Sequence, residues 1–427
     1  MRPTGRLHIG HYFGALENWV KLQNDPQYEC FFFVADWHAL TSDYADTSQV
    51  AQNSIEIATD WLASGIDPAK CTMFIQSSVP EHAELNLLLS MVTPLGWLER
   101  VPTYKEALDN VKDKDLHTYG FLGYPILQTA DIVMYSNPGT NLFVPVGEDQ
   151  VSHIEFSREL VRRFNTFYGL SFEDKFYSAV IGFAEKPGKY PVELSTLSVF
   201  LNDHLSKSGE KLNFAERDAV FRMVRGMATE FGVKNFLENF NLRDEYASFR
   251  EVLTEPQHLL SPSPRIPGTD GRKMSKSYGN SITFGESDVN IRAKTKVMMT
   301  DPARKRRTDP GNPDVCPVYD WHKLFSSPET LAWSAEGCRS AGIGCIECKS
   351  AMADNLIQWI APIRARREEY AAHPGKVLQI LDEGSLKARE VAQKTMVRVR
   401  EAVFNWKDKR AEVSSQISAA QNAKVGD

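Results

Sequence analysis

The chain has 427 residues, 42 % hydrophobic and 24 % charged, with a formal net charge of -6. Such a length exceeds one ordinary domain, and the balance is that of a soluble globular protein, so two domains plus an elaboration are expected. No apolar run approaches the ~18–20 residues of a membrane span, residues 1–20 lack the charged start and apolar core of a signal peptide, and the net acidity excludes an indiscriminate nucleic-acid coat. The cytoplasm is therefore the default compartment.

Near the start, a Pro3-Thr4-Gly5 turn is followed by His8-Ile9-Gly10-His11. Ile9, Phe13, Leu16 and Val20 share one helical face, which predicts a helix over 9–22 with both imidazoles in its first turn. Two imidazoles there, beside the unpaired N–H groups and positive end of a helix, suit a polyphosphate. Gly10 leaves room for a nucleotide to lie against the helix start. Cys30–Ala35 reads as a buried parallel strand ending at Asp36 and His38, followed by a helix over 47–64, a strand over Cys71–Gln76 and a helix over 80–91. Alternating strands and helices predict an α/β, doubly wound parallel sheet with its ligands at the strands' carboxyl ends, where Asp36, His38 and Gln76 stand. Cys30 and Cys71 are expected as buried packing residues.

Residues 98–136 read as mostly helical, and a strand over Asn141–Val146 delivers Gly147-Glu148-Asp149-Gln150 before a helix over 151–164. Residues 172–256 read as an insertion, with a Lys/Gly/Pro stretch at 186–189 and helical segments over 214–231 and 235–253. Leu205-Ser206-Lys207-Ser208 within it is expected to be a surface helix end. Lys273-Met274-Ser275-Lys276-Ser277 follows, framed by Gly268, Gly271 and Gly279, so two ammonium groups ride on a hydroxyl-rich loop suited to a departing pyrophosphate.

Residues 292–307 carry Arg292, Lys294, Lys296, Arg304, Lys305, Arg306 and Arg307 against one acid, Asp301, which is either an RNA-facing surface or a solvated loop. From about Asp314 the pattern is helical throughout, with long helices over 350–372 and 385–406, breaks at His373-Pro374-Gly375 and Asp382-Glu383-Gly384, and a frayed tail over the last twenty residues. Lys387, Arg389, Lys394, Arg398 and Arg400 make a basic helical face, open to the same two readings.

The order and spacing of His8-Ile-Gly-His11 and Lys273-Met-Ser-Lys276-Ser resemble the two signatures of the class I aminoacyl-tRNA synthetases. The stretches Gly120–Tyr135 and Val144-Pro145-Val146-Gly147-Glu148-Asp149-Gln150 narrow this, because both look like tryptophanyl-tRNA synthetase. The resemblance covers residues 2–170 and 258–405. It implies activation of L-tryptophan with ATP and Mg²⁺, transfer to tRNA(Trp), and a homodimer. Catalysis would fall to His8, His11, Lys273 and Lys276, and ATP binding to Arg2, Thr4, Gly10, Lys105, Gly147, Asp149 and Ser275. Tryptophan would meet His38, Asp131 and Gln150. Asp131 is a lone acid among Leu127, Ala130, Ile132, Val133 and Met134, and an indole, which carries one donor and no acceptor, needs such a group in an apolar slot; the alternative is a structural ion pair.

The expected organisation is a Rossmann-like catalytic domain over 1–171, an insertion over 172–256, a lysine-loop segment over 257–300 and a helical, anticodon-side domain over 301–427. A tyrosyl-type enzyme shares both signatures but fits the Val-Pro-Val-Gly-Glu-Asp-Gln stretch poorly. A synthetase-like RNA- or nucleotide-binding paralogue is the other alternative.

Cys316, Cys338, Cys345 and Cys348 are separated by 21, 6 and 2 residues. Clustered cysteines in a cytosolic enzyme point to metal rather than disulfides, so a [4Fe–4S] cluster, structural Zn²⁺ or free thiols are open. A subset of tryptophanyl enzymes has a similar arrangement holding a [4Fe–4S] cluster, which this resemblance favours. In that family a strand precedes the Pro-Thr-Gly turn; here Met1 stands two residues before it, so an upstream start or a sheet without that strand is expected.

Overall fold

Near-continuous apolar runs become strands because only a doubly covered sheet hides them. β1 (Phe31–Val34) and β2 (Thr72–Ile75) are parallel, with Phe31 opposite Thr72 and Val34 opposite Ile75. β3 (Leu142–Val146) pairs with β6 (Pro256–Leu260), and β4 (Leu170–Phe172) runs antiparallel to β5 (Ala247–Phe249). The computed structural model describes residues 1–110, 115–173, 175–176, 214–240, 242, 245–260 and 266–425. The expected stretches at 186–189 and 205–208 lie outside these residues.

Two compact units interleave along the chain: residues 1–79, 145–148 and 260–388 form one, and 80–144, 149–259 and 389–427 the other. In the first, Leu7, Ile9, Leu16, Trp61, Phe284, Trp321, Leu356 and Ile360 share one apolar core. Helix Val50–Ser64 ends at Gly65, whose φ of 106° lets its N–H and that of Ile66 turn back to the carbonyls of Leu62 and Trp61. In the second unit β4 and β5 cover a core of Phe176, Val224, Phe236 and Tyr246.

Several expectations change. The helix over 9–22 forms as Ile9–His11 and Glu17–Gln23, joined by wider π-type turns at Tyr12–Leu16, where Tyr12 and Phe13 both pack on Trp359 at ring distances of 4.9 and 5.3 Å. The helix expected over 235–253 is Val233–Asn239 only, because Ala247–Phe249 pairs with β4 and cross-strand packing outweighs local helix propensity. The tail over 406–425 is helical although exposed over most of its length, in keeping with its alanine content.

Asp382-Glu383-Gly384 is no turn. Helix Pro374–Phe404 passes straight through it, and Gly384 is where the helix meets β2: a Cβ there would sit 1.8 Å from the Met73 carbonyl oxygen. Ser385 Oγ also accepts the Ile75 N–H at 3.3 Å. The glycine that reads as a break is a close-approach glycine.

Several residues of the basic runs have partners within their own unit. In the first unit Arg292 pairs with Asp354 at 2.6 Å and Lys294 with Glu286 at 2.9 Å, while buried Arg304 donates to the Ile343 carbonyl at 2.6 Å. In the second, Arg389 pairs with Glu81 and Arg400 with Glu84, while Arg398 donates to the carbonyls of Val252 and Ser136. Among the described residues no helix is long and apolar enough to cross a membrane.

Replacing Gly384 with Ala should lower stability by about 1–3 kcal/mol or more through overpacking, read as a drop in the urea midpoint of unfolding. Gly375→Ala, with open space around position 375, serves as the neutral comparison.

Candidate active site

The first signature is built around a turn. Gly5 has a φ of +92°, and a side chain there would point at the Lys276 ammonium 3.5 Å away. Lys276 Nζ donates to the Thr4 carbonyl, which ties the second signature to the first. Beyond the turn, the Leu7 N–H donates to Asp60 Oδ2 at 2.6 Å, and Ile9 N–H donates to the Ile282 carbonyl at 3.0 Å, so the approach to His8 is fixed on both sides.

His8 and His11 stand with ring centroids 3.7 Å apart. The His8 backbone N–H donates to His11 Nδ1 at 3.2 Å, so the His11 proton belongs on Nε2. His8 is buried, and its Nδ1 has no partner among the described residues. Burial, the neighbouring imidazole and the Lys276 ammonium hold His8 down to about 3; burial and Lys276 hold His11 to about 4. Both rings are therefore neutral near pH 7. Gly10 is required by His8 itself, since a Cβ there would lie 2.9 Å from His8 Nδ1 and 3.4 Å from the Met274 sulfur.

Asn280, which the sequence reading passed over, organises the lysine loop. Its buried side chain accepts the Ser275 N–H at 2.7 Å and donates to Asp270 at 2.7 Å and to the Lys273 carbonyl at 3.2 Å. A Cβ on Gly268 would fall 2.3 Å from the Asn280 amide nitrogen, so this glycine is demanded by Asn280. Hydrogen bonding from Asn280, then from Arg272, keeps the Asp270 carboxyl below its ordinary range. Lys273 stays exposed, while burial lowers the Lys276 ammonium, opposed by Asp60. A Gly next to an Asn within the loop was the available signal.

His8, Gly10, His11, Ser275 and Lys276 thus gather in the first unit, which also holds Gly147 and His38. His38 lies on helix Asp36–Asp43 directly after β1, and Asp36 accepts the Ser77 N–H at 3.0 Å after β2, so both strand ends are joined there. The Arg2 side chain is turned to Ser42 and to Asp43, the latter at 3.3 Å.

The remaining residues belong to the second unit. Lys105 is exposed on helix Pro102–Asn110, and Asp149 and Gln150 sit in the turn Glu148–Gln150 that follows β3. Asp131 is 4 % exposed on helix Tyr124–Val133, with one carboxylate oxygen 2.5 Å from His82 Nδ1. His82 was not singled out from the sequence, because a histidine in a helix's first turn carries no distinguishing pattern.

The four cysteines occupy the helical part of the first unit. Cys316 precedes helix Pro317–Phe325, Cys338 lies in Pro328–Arg339, and Cys345 and Cys348 open Cys345–Ala372. Burial, reinforced by the other three cysteines, pushes the Cys348 thiol up to about 12, and its Sγ lies 3.4 Å from His322 Nε2. Among the described residues no three His, Cys, Asp or Glu side chains are grouped closely enough to hold a metal ion. The expected metal cage is therefore not formed by these side chains as they stand. Cys30 and Cys71 are buried free thiols, as expected.

The sequence pattern described as tRNA synthetases class I (W and Y) matches residues 1–235 and 218–360. The chain belongs to this family. A tryptophan–tRNA ligase of Ralstonia nicotianae is 46 % identical across 94 % of the synthetase and 96 % of its own length. Another, of Thermotoga maritima, is 43 % identical across 94 % and 97 %. A crystal structure of tryptophanyl-tRNA synthetase from Campylobacter jejuni, complexed with ADP and tryptophan, is similar with a TM-score of 0.66 at 27 % identity, covering 94 % of the synthetase and 98 % of that chain. The α/β fold with a helical C-terminal part is that of this family.

The depressed histidines have a signed consequence. Below about pH 6.5 the unfolded chain's imidazoles take up protons that the folded pair refuses until about pH 4 and 3, so stability falls as pH drops through that window. The urea midpoint of an H8N/H11N double variant should fall less steeply than that of the native chain between pH 6.5 and about 4.

Proposed function

We propose that the chain is a tryptophan–tRNA ligase, joining L-tryptophan and ATP into tryptophanyl adenylate and pyrophosphate, then passing the aminoacyl group to the terminal ribose of tRNA(Trp). The supporting observation is the gathering of His8, His11 and Lys276 around one turn, in a chain 46 % identical to a tryptophan–tRNA ligase over nearly its whole length. The tryptophan carboxylate attacks the α-phosphorus in line, and no covalent enzyme intermediate is needed. The protein's task is to position the reactants and stabilise charge growing on phosphate oxygens.

His11, with Nδ1 occupied by a backbone N–H, offers Nε2–H to such an oxygen as a neutral donor. Neutral imidazoles donate hydrogen bonds but carry no positive charge, so charge compensation falls to the ammonium groups. Lys276, anchored through Thr4, is the fixed one, and exposed Lys273 is placed to follow the departing pyrophosphate. The four signature side chains bring no carboxylate, so Mg²⁺, which shares the pyrophosphate charge when bound, would be held by phosphate oxygens. Arg2, Thr4, Gly10, Lys105, Gly147, Asp149 and Ser275 serve the nucleotide in this reading. Asp131 accepts the indole N–H, and His38 and Gln150 meet the rest of the amino acid. The helical residues 301–427 face the anticodon side, and the working form is a cytoplasmic homodimer.

The [4Fe–4S] cluster is the finer part of the proposal. Four cysteines are the right donor chemistry, and all four stand in or beside three helices of the first unit. Protein purified without oxygen should then carry about four irons per chain by elemental analysis; zinc at one per chain, or neither metal, would replace this reading.

Labelled pyrophosphate should exchange into ATP with tryptophan and with none of the other amino acids. Lys276→Met should cut that exchange by about 10²–10³-fold with the unfolding midpoint little changed. Exchange with tyrosine instead would move the substrate to the sister enzyme, and no exchange with any amino acid would favour a binding paralogue.

A further inference from the structure

Three polar groups of the second unit, buried His82 and Glu81 and half-buried Tyr135, have no part in the chemistry above. Two of them form a chain ending on Asp131. His82 is 0 % exposed in helix Glu81–Ser90, with Nδ1 2.5 Å from Asp131 Oδ1 and Nε2 2.6 Å from the Tyr135 hydroxyl. Tyr135 lies just past the end of helix Tyr124–Val133, which carries Asp131.

With Asp131 ionised, as its reading as an indole acceptor requires, the carboxylate accepts from His82 Nδ1–H, and the Tyr135 hydroxyl lies within hydrogen-bond reach of His82 Nε2. Burial, followed by the carboxylates of Asp131 and Glu81, pushes the Tyr135 phenol above its ordinary value, so that proton stays in place. Glu81 has its own cation, with Arg389 Nε 3.1 Å from its carboxylate. The two-bond chain from Tyr135 through His82 thus ends on the carboxylate of Asp131.

An isolated carboxyl this deeply buried favours its protonated form, in which one oxygen becomes a donor. Facing another N–H, that donor would repel it. An N–H donor at His82 Nδ1 stabilises the ionised form and fixes the carboxylate plane. We infer that His82, backed by Tyr135, is a positioning residue that holds Asp131 as an ionised, oriented acceptor and thereby sets selectivity for a substrate ring bearing an N–H. The inference rests on the reading of Asp131 as the indole acceptor.

The test compares tryptophan with its benzothiophene analogue, in which sulfur replaces the ring N–H, by pyrophosphate exchange with the full-length protein. The kcat/KM ratio of the two substrates, with the KM for ATP as control, is measured in the native chain, H82Q, H82N, Y135F and D131A. A glutamine amide reaches the Nε2 position and an asparagine amide the Nδ1 position, so the two variants carry the same chemistry but only one can donate to Asp131. H82Q should lose about tenfold of the preference for tryptophan, H82N should keep most of it, and Y135F should lose a smaller part, all with the ATP KM within about twofold.

Equal weakening of both substrates in H82Q, with the ratio intact, reduces His82 to packing and overturns the inference. Should H82Q fail to fold, an unchanged ratio in Y135F overturns it instead. A ratio retained in D131A removes the underlying reading of Asp131. A ratio lost in D131A but kept in H82Q removes only the role of His82.

Discussion

One buried ion pair holds the turn that carries the first signature in place. Asp60, 0 % exposed on helix Val50–Ser64, takes the Leu7 N–H on one oxygen and the Arg367 Nε on the other, each at 2.6 Å. Arg367 is itself buried and also reaches Glu56, which accepts from Arg6 at 3.0 Å. The residue immediately before His8 is thus anchored through the Asp60 carboxylate to a guanidinium 307 positions beyond Asp60. Removing Arg367 strands the Asp60 carboxylate in the interior at a cost of about 3–5 kcal/mol. The same carboxylate opposes the effect of burial on the Lys276 ammonium, so one acid serves both signatures.

The parts of this arrangement legible in the sequence are those that repeat a local pattern. Apolar runs marked β1, β2 and β3, and both signatures are contiguous, so their residues could be chosen before their meeting was known. Their meeting depends on contacts that leave no local trace. Asp60 and Arg367 look like ordinary charges on amphipathic helices, and Asn280 looks like a turn residue. β5 was misread because three residues become a strand only beside β4. Gly384 was misread as a break because close approach and chain reversal select the same residue.

Charge was the least informative sequence feature. Runs of lysine and arginine were open to an RNA surface or a solvated face, and within them Arg304 donates to the buried Ile343 carbonyl and Arg398 caps two loop carbonyls of its own unit. Arginine's fixed fork makes it suited to both tasks, and composition does not separate them. The second unit shows the converse. Asp131 stood out as a lone acid, while the histidine and tyrosine that set its state were hidden among ordinary helical residues.

The intimate packing of Gly10 on the His8 ring changes how genetic data on this segment are to be interpreted. Any larger residue at position 10 must first displace the imidazole, 2.9 Å away, before it could obstruct a nucleotide. In a saturation scan, losses at positions 8 and 10 would record one event twice. Second-site suppressors of a position 10 defect should accordingly arise around the ring, at Met274 or its neighbours.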